Sequence, residues 1–153
     1  WKILLIGQDE DGSGARFKND LAKHSLESRL IELASLPAQE LNCIYNAADL
    51  LLLPSRHENF GNVVIEALAC SCAVAVSDKT GVGGDLLHGA PANFGAVLPR
   101  QARAWADWLE AWLRNPQRAD KNCAQWVAQH YSSEAVADQA VAIYRQILES
   151  RQR

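Results

Sequence analysis

The chain has 153 residues, of which 48% are apolar and 22% charged, so one domain with a buried core fits it and a disordered or fibrous chain does not. A net charge of −3 provides no broad basic field, which argues against tracking along a nucleic-acid backbone. No apolar run reaches the length of a membrane span, and the first residues do not read as a signal peptide.

Taken in order, residues 2–6 form a short apolar run ended by Gly7, the pattern of a buried strand and a turn. Residues 8–14 are polar and glycine-rich and read as loop. Helical character follows over residues 13–24, with Phe17, Leu21 and Ala22 on one face. Residues 29–33 are a second strand. Pro37 suits the first turn of a helix whose inner face carries Leu41, Ile44, Tyr45 and Ala48. Asp49 is then followed by four leucines and closed by Pro54, which predicts a strand buried on both faces, as in a parallel sheet covered by helices.

Residues 61–70 read as helix, 73–77 as strand, 80–84 as a glycine-rich turn and 96–99 as a last short strand. From Gln101 onward the pattern is helical only. Trp105, Trp108, Leu109, Trp112 and Leu113 share one face, a second helix is expected over residues 117–129, and a third begins near Ser133. That third helix is expected to turn Val136, Ala140, Ile143, Ile147 and Leu148 inward. The predicted architecture is an α/β, Rossmann-like, doubly wound parallel sheet with a helical carboxy-terminal tail. It forms a single domain over residues 1–153, with a sheet part at 1–100 and helices at 101–153.

Cys43, Cys70, Cys72 and Cys123 fit no zinc spacing and read as reduced thiols of a cytosolic protein. The chain contains no Met and opens on Trp1, so its native start is expected upstream.

The stretch that carries chemistry is Pro54-Ser55-Arg56-His57-Glu58-Asn59-Phe60-Gly61-Asn62-Val63-Val64-Ile65-Glu66-Ala67-Leu68-Ala69-Cys70. A strand ends before it, a polar loop follows, and a helix starts near Gly61. Ligands of open α/β sheets bind beyond the carboxyl ends of strands. A helix amino terminus there offers free N–H groups and partial positive charge to a phosphate. Glu58 belongs to the loop and Glu66 to the second turn of the helix. A carboxylate accepts two hydroxyl hydrogen bonds at once, which is what adjacent sugar hydroxyls offer.

The two glutamates are separated by seven residues, with Pro-Ser before, Phe-Gly between and Glu-Ala-Leu-Ala-Cys after. This arrangement resembles the hallmark of family 4 of the retaining GT-B glycosyltransferases, among the glycosyl transferases group 1. The resemblance covers nearly the whole chain and identifies it with the carboxy-terminal, nucleotide-sugar-binding domain. It implies that Glu58 is the catalytic-site carboxylate holding donor-sugar hydroxyls and that Glu66 binds the nucleotide ribose. The backbone of Asn59, Phe60, Gly61 and Asn62, continued by Val63, would cradle the donor sugar and distal phosphate. The turn after Gly7 and the segment ending at Leu36 would enclose the base.

The implied donor is a UDP- or GDP-linked sugar, taken as substrate, with no cofactor and no metal. The implied reaction transfers the sugar with retention, by stabilising the leaving diphosphate and positioning the acceptor. The remaining partner is an amino-terminal acceptor domain outside this chain, and nucleic acid is not among the partners. The expected location is the cytoplasm, with peripheral association at the inner face of the membrane for the full-length enzyme.

The family's opening strand ending in Gly-Arg and its Lys-Gly helix have no counterpart. A sheet lacking that central strand is expected to show two unpaired edges, and this chain alone is expected to be inactive. The family's Gly-x-Pro turn is replaced by Ser71 and Ala73, and Asp85 receives no role. Arg56 reads more readily as a surface salt-bridge partner than as a phosphate ligand, His57 equally as solvated or as a ligand contact, and residues 81–84 as a simple turn. The tryptophan stripe reads as core, with one ring facing a partner, and His24, His88 and His130 as surface residues. Two alternatives are kept: a non-catalytic or truncated sugar-nucleotide-binding module, and, less favoured, a sugar-nucleotide 2-epimerase.

Overall fold

The computed structural model describes residues 1–9 and 11–151. The chain divides into two compact units, Trp1–Leu41 and Asn42–Arg153, with the boundary inside a helix. The change of character expected at residue 101 is one of secondary structure, since only helices follow the last strand.

The first unit is a β-α-β crossover. Strands β1 (Ile3–Ile6) and β2 (Leu30–Leu33) run parallel, in register from Ile3↔Leu30 to Ile6↔Leu33. Between them lies α1 (Ser13–Lys23) and a 3₁₀ turn at Glu27–Arg29. The start of α1 is held by Asp9, whose carboxylate accepts the backbone N–H groups of Gly14 and Ala15 at 3.1 and 3.2 Å. Its end closes through Leu26 N to Leu21 O at 2.9 Å, with Ser25 in the left-handed region at φ 55. Leu21 is buried as expected, whereas Phe17 is exposed. Helix α2 (Ala38–Ala47) follows Pro37 as predicted, with Tyr45 buried.

The second unit holds β3 (Leu50–Leu53), β4 (Ala73–Ser77) and β5 (Gly95–Leu98), all parallel in the order β3-β4-β5. Helix α3 (Asn62–Ala69) connects β3 to β4, and α4 (Gly83–Gly89) connects β4 to β5. Three more helices follow, α5 (Ala102–Arg114), α6 (Lys121–Tyr131) and α7 (Ser133–Ser150). All five residues of β4 are buried, and α3 packs between β4 and α6 through Val64, Ala67 and Leu68. Val64 and Leu68 each contribute about 1.5–3 kcal/mol by leaving water.

The fold is thus α/β with parallel strands, as expected, but the strands form two sheets rather than one. The expected burial of β1 and β3 is corrected: Leu4 is 40% exposed and Leu52 42%. The cause is topological. Among the described residues β1 pairs only with β2 and β3 only with β4, so both are edge strands, and only β4 has neighbours on both sides. Strands β2 and β5 are edges as well, so four of the five described strands lie at a sheet edge.

The carboxy-terminal helices also differ from expectation. α6 starts at Lys121 rather than near 117 because the Asp120 side chain accepts the Asn122 N–H at 2.8 Å and caps it there. α7 begins at Ser133, capped by Ser132 through Ala135 N at 3.2 Å. None of its residues is buried: Val136, Ala140, Ile143, Ile147 and Leu148, expected inward, are all exposed, Ile143 by 56%. α7 packs on α6, which covers too little of an 18-residue helix to enclose a whole apolar face. The tryptophan stripe of α5 is half-buried, with Trp108 and Trp112 stacked at 6.3 Å, and no residue of that helix reaches the core. All four cysteines are free thiols. Among the described residues no helix is long and apolar enough to cross a membrane.

Candidate functional site

β3 delivers the chain to the loop of residues 54–61, and α3 takes it away. Gly61 occupies the position before the helix with φ 97, a left-handed conformation that a side chain would strain. A Cβ there would also stand 2.8 Å from Thr80 Cγ2 and 3.5 Å from Glu58 Cγ. The stem of Glu58 therefore lies beside the start of α3. No side chain caps that start and its first turn contains no acidic residue; Val64 N bonds Gly61 O at 2.9 Å, which leaves the N–H groups of Asn62 and Val63 and the partial positive charge open to a ligand.

The loop is fastened from behind by the turn between β4 and α4. Glu58 N donates to Lys79 O at 3.3 Å, Gly81 N to Glu58 O at 3.1 Å and Val82 N to Phe60 O at 2.9 Å, and Glu58 bridges Thr80 in parallel. A Cβ on Gly81 would collide with the Asn59 carbonyl, so this glycine exists to let two backbones touch. The expected simple turn at residues 81–84 is corrected in part: Gly83 and Gly84 open α4, which glycine content hid from sequence reasoning. Leu86 overrides that weak propensity by filling the core.

Phe60 is held by a ring contact with Tyr131 of α6, centroids 5.5 Å apart. The Tyr131 hydroxyl donates to Asp85 Oδ2 at 2.7 Å. Asp85, denied a role from its spacing, thus anchors the residue that backs the loop. Burial first, and then the Asp85 carboxylate, hold the Tyr131 hydroxyl well above the usual phenol range. Trp126, His88, His130 and Gln139 join Asp85 and Tyr131 around an open depression of about 350 Å³ behind this contact. His88 and His130 are exposed, as expected, with each Nδ1 beside a carbonyl four residues earlier.

Glu66 lies on α3, exposed, and its Oε2 accepts the Tyr45 hydroxyl at 3.1 Å. The other oxygen remains free to accept. Tyr45 is itself buried, and burial followed by the Glu66 charge pushes its hydroxyl well above the usual phenol range, so it stays a donor. Sequence reasoning placed Tyr45 on the inner face of α2 and missed this bond; a tyrosine one helix before the motif was the only signal.

Among the expected residues, Glu58, Asn59, Phe60, Gly61, Asn62, Val63 and Glu66 are brought together on this loop and helix. Asn59, Asn62 and Glu66 are exposed, Glu58, Phe60 and Val63 half-buried, and Gly61 buried. Gly7 and Leu36 belong to the unit Trp1–Leu41, where they follow β1 and β2; Gly7 donates its N–H to Leu33 O at 3.1 Å. Arg56, expected in a surface salt bridge, makes none among the described residues. No carboxylate in its loop is placed to meet it. Among the described residues no group of three or more His, Cys, Asp or Glu side chains could hold a metal ion.

The turn after α3, where Ser71 and Ala73 replace the glycine and proline of the resemblance, still forms. Cys72 N bonds Ala67 O and Ser71 N bonds Leu68 O, both at 2.9 Å, with Ser71 left-handed at φ 55. Arg118 reinforces it, donating to Cys70 O at 2.8 Å and to Ala48 O at 2.6 Å.

The family model for glycosyl transferases group 1 matches residues 1–132. A D-inositol 3-phosphate glycosyltransferase of Corynebacterium urealyticum is 33% identical over 154 residues, covering 95% of this chain and 35% of that protein. The protein of the same name from Corynebacterium aurimucosum is 35% identical over 146 residues, covering 93% and 34%. Among solved structures, sucrose-phosphate synthase from Thermosynechococcus elongatus superposes with a TM-score of 0.78 at 27% identity, over 97% of this chain and 39% of that one. The Anabaena HepE protein in complex with UDP-glucose superposes at 0.71 with 20% identity, over 99% and 40%, a likeness of fold. The chain therefore spans about a third of the length of the curated relatives it matches. On its sequence and its fold, the chain belongs to the glycosyl transferases group 1 family, as the carboxy-terminal domain of a GT-B glycosyltransferase.

Proposed function

We propose that the loop of residues 54–61 and the start of α3 bind a nucleotide-sugar donor, and that the full-length protein transfers its sugar to an acceptor with retention. The observation that carries this reading is the Glu58 stem beside an uncapped helix start, with Glu66 in the next turn keeping one oxygen free. Glu58 accepts hydroxyls of the donor sugar and Glu66 those of the ribose. The backbone of Asn59, Phe60, Gly61, Asn62 and Val63 faces the distal phosphate with N–H groups. For the unit Trp1–Leu41, the proposal keeps the loops after β1 and β2, with Gly7 and Leu36, as the base-contacting surface.

The chemistry is electrostatic. The bond between the anomeric carbon and the phosphate oxygen breaks, its electron pair leaves with the diphosphate, and positive charge builds on the ring. Donors at a helix start stabilise the leaving charge without reorganising. No general base from this chain is needed, and no metal or cofactor is invoked. UDP- and GDP-sugars are the donor classes proposed. A UDP-glucose complex of a neighbour of the same fold and the phosphorylated polyol in the relatives' name support a UDP-linked donor and a hydroxyl-bearing acceptor. The turn at Ser71 and Ala73 keeps its hydrogen bonds, which weakens the case for a decayed binding module.

The test is transfer by the full-length protein from UDP- and GDP-sugars to polyol acceptors, with the product's anomeric configuration read by NMR. The proposal expects the donor's configuration in the product. Inversion, or interconversion of free nucleotide sugars without transfer, would overturn it.

A further inference from the structure

β3 and β5 are each followed directly by a proline, and an arginine comes close behind: Pro54-Ser55-Arg56 and Pro99-Arg100. The two strands flank β4, so both arginines emerge at the carboxyl edge of the same three-stranded sheet. There Arg56 and Arg100 line one open depression of about 210 Å³, together with Pro54, Ala102 and Trp105. No carboxylate lines it.

Both guanidiniums lack a hydrogen bond or ion pair among the described residues, while Arg103, three residues on, is taken by Asp107 at 2.9 Å and Arg114 by Glu110 at 2.6 Å. Among the described residues Arg145 and Arg151 also make no ion pair, but neither lines either depression. The wall of the depression is fixed. Gln101 N bonds Pro99 O at 2.7 Å, and Trp105 Nε1 bonds the same carbonyl at 3.0 Å, which pins the first turn of α5 to the end of β5. That turn has no side-chain cap and no acid, so its partial positive charge adds to the two guanidiniums.

Two like charges converging on one concavity repel each other until an anion lies between them. A guanidinium offers parallel N–H groups that match the oxygens of a phosphate two at a time. We propose that Arg56 and Arg100 form a binding site for a phosphate group, carried either by a soluble phosphorylated ligand or by a lipid headgroup. Arg56 belongs to the loop proposed for the donor, two residues before Glu58, but the site differs from the glutamate pair in chemistry, since carboxylates accept hydroxyls and repel anions.

The experiment titrates the full-length protein with inorganic pyrophosphate at low and high salt by calorimetry. In parallel it sediments the protein with vesicles of phosphatidic acid in phosphatidylcholine, against phosphatidylcholine alone. Arg56→Gln and Arg100→Gln are each expected to weaken binding at least about tenfold, the scale of a lost charged hydrogen bond. Arg114→Gln, whose partner is Glu110, is expected to change nothing. Thermal unfolding of each variant checks that it folds. Pyrophosphate binding assigns the site to a soluble ligand, and vesicle binding without pyrophosphate binding assigns it to a headgroup. Binding in neither arm, or binding that Arg100→Gln leaves intact, overturns the proposal.

Discussion

Glu66 shows how a single side chain acquires a direction. Its Oε2 is engaged by the Tyr45 hydroxyl, so the carboxylate is oriented before any ligand arrives and has one oxygen left to offer. The spacing of Glu58 and Glu66 was legible from the sequence, because a loop acid and an acid in the next helical turn follow from periodicity. The bond from Tyr45 was not, since nothing local says that a buried hydroxyl on α2 reaches α3. Ser71 makes a complementary point. The sequence marked it as a departure from glycine, and the structure gives the physical meaning: it occupies the left-handed position that closes α3. A left-handed non-glycine residue costs about 1–2 kcal/mol. Ser71→Gly is therefore expected to stabilise the protein by about 1 kcal/mol, part of the relief being offset by glycine's freedom in the unfolded chain. Denaturant unfolding with a lower midpoint would show that the serine is held by something stronger than that turn.

At the level of elements, strands and long helices were legible and α4 was not. Its Gly83, Gly84 and Gly89 read as turn, and only the burial of Leu86 in the finished core decides for helix. Missing α4 hid the function of Asp85, which accepts the Tyr131 hydroxyl and so steadies the ring against Phe60. Tyr131→Phe keeps that ring and removes the bond. A hydrogen bond to a charged acceptor on a half-buried residue is worth about 1 kcal/mol, so unfolding should shift by that amount. Equal stability of Tyr131→Phe and wild type would mean that the contact with Asp85 adds nothing to the support of the loop. The apolar face of α7 was equally legible as a pattern, yet pattern alone does not supply a neighbour, and the structure leaves that face exposed.

At the scale of the whole molecule, the alternation of strands and helices carried the fold class, while the division into a two-stranded and a three-stranded sheet was not legible from it. Strand β3, with its four leucines, reads as fully buried, but its position at a sheet edge leaves Leu52 in solvent. The candidate site was more legible than the fold around it, because loop, glycine and helix start are contiguous in sequence and carry their geometry with them. The central claim is that this contiguous stretch receives a nucleotide sugar, with Glu66 serving the nucleotide and Glu58 the sugar. Calorimetric titration of the full-length protein, its Glu66→Ala variant and its Glu58→Ala variant with a nucleoside diphosphate and with the corresponding nucleotide sugar tests it directly. Glu66→Ala is predicted to weaken both ligands by about 1–3 kcal/mol, and Glu58→Ala only the sugar-bearing one. Unchanged affinity of Glu66→Ala for both ligands would contradict the account.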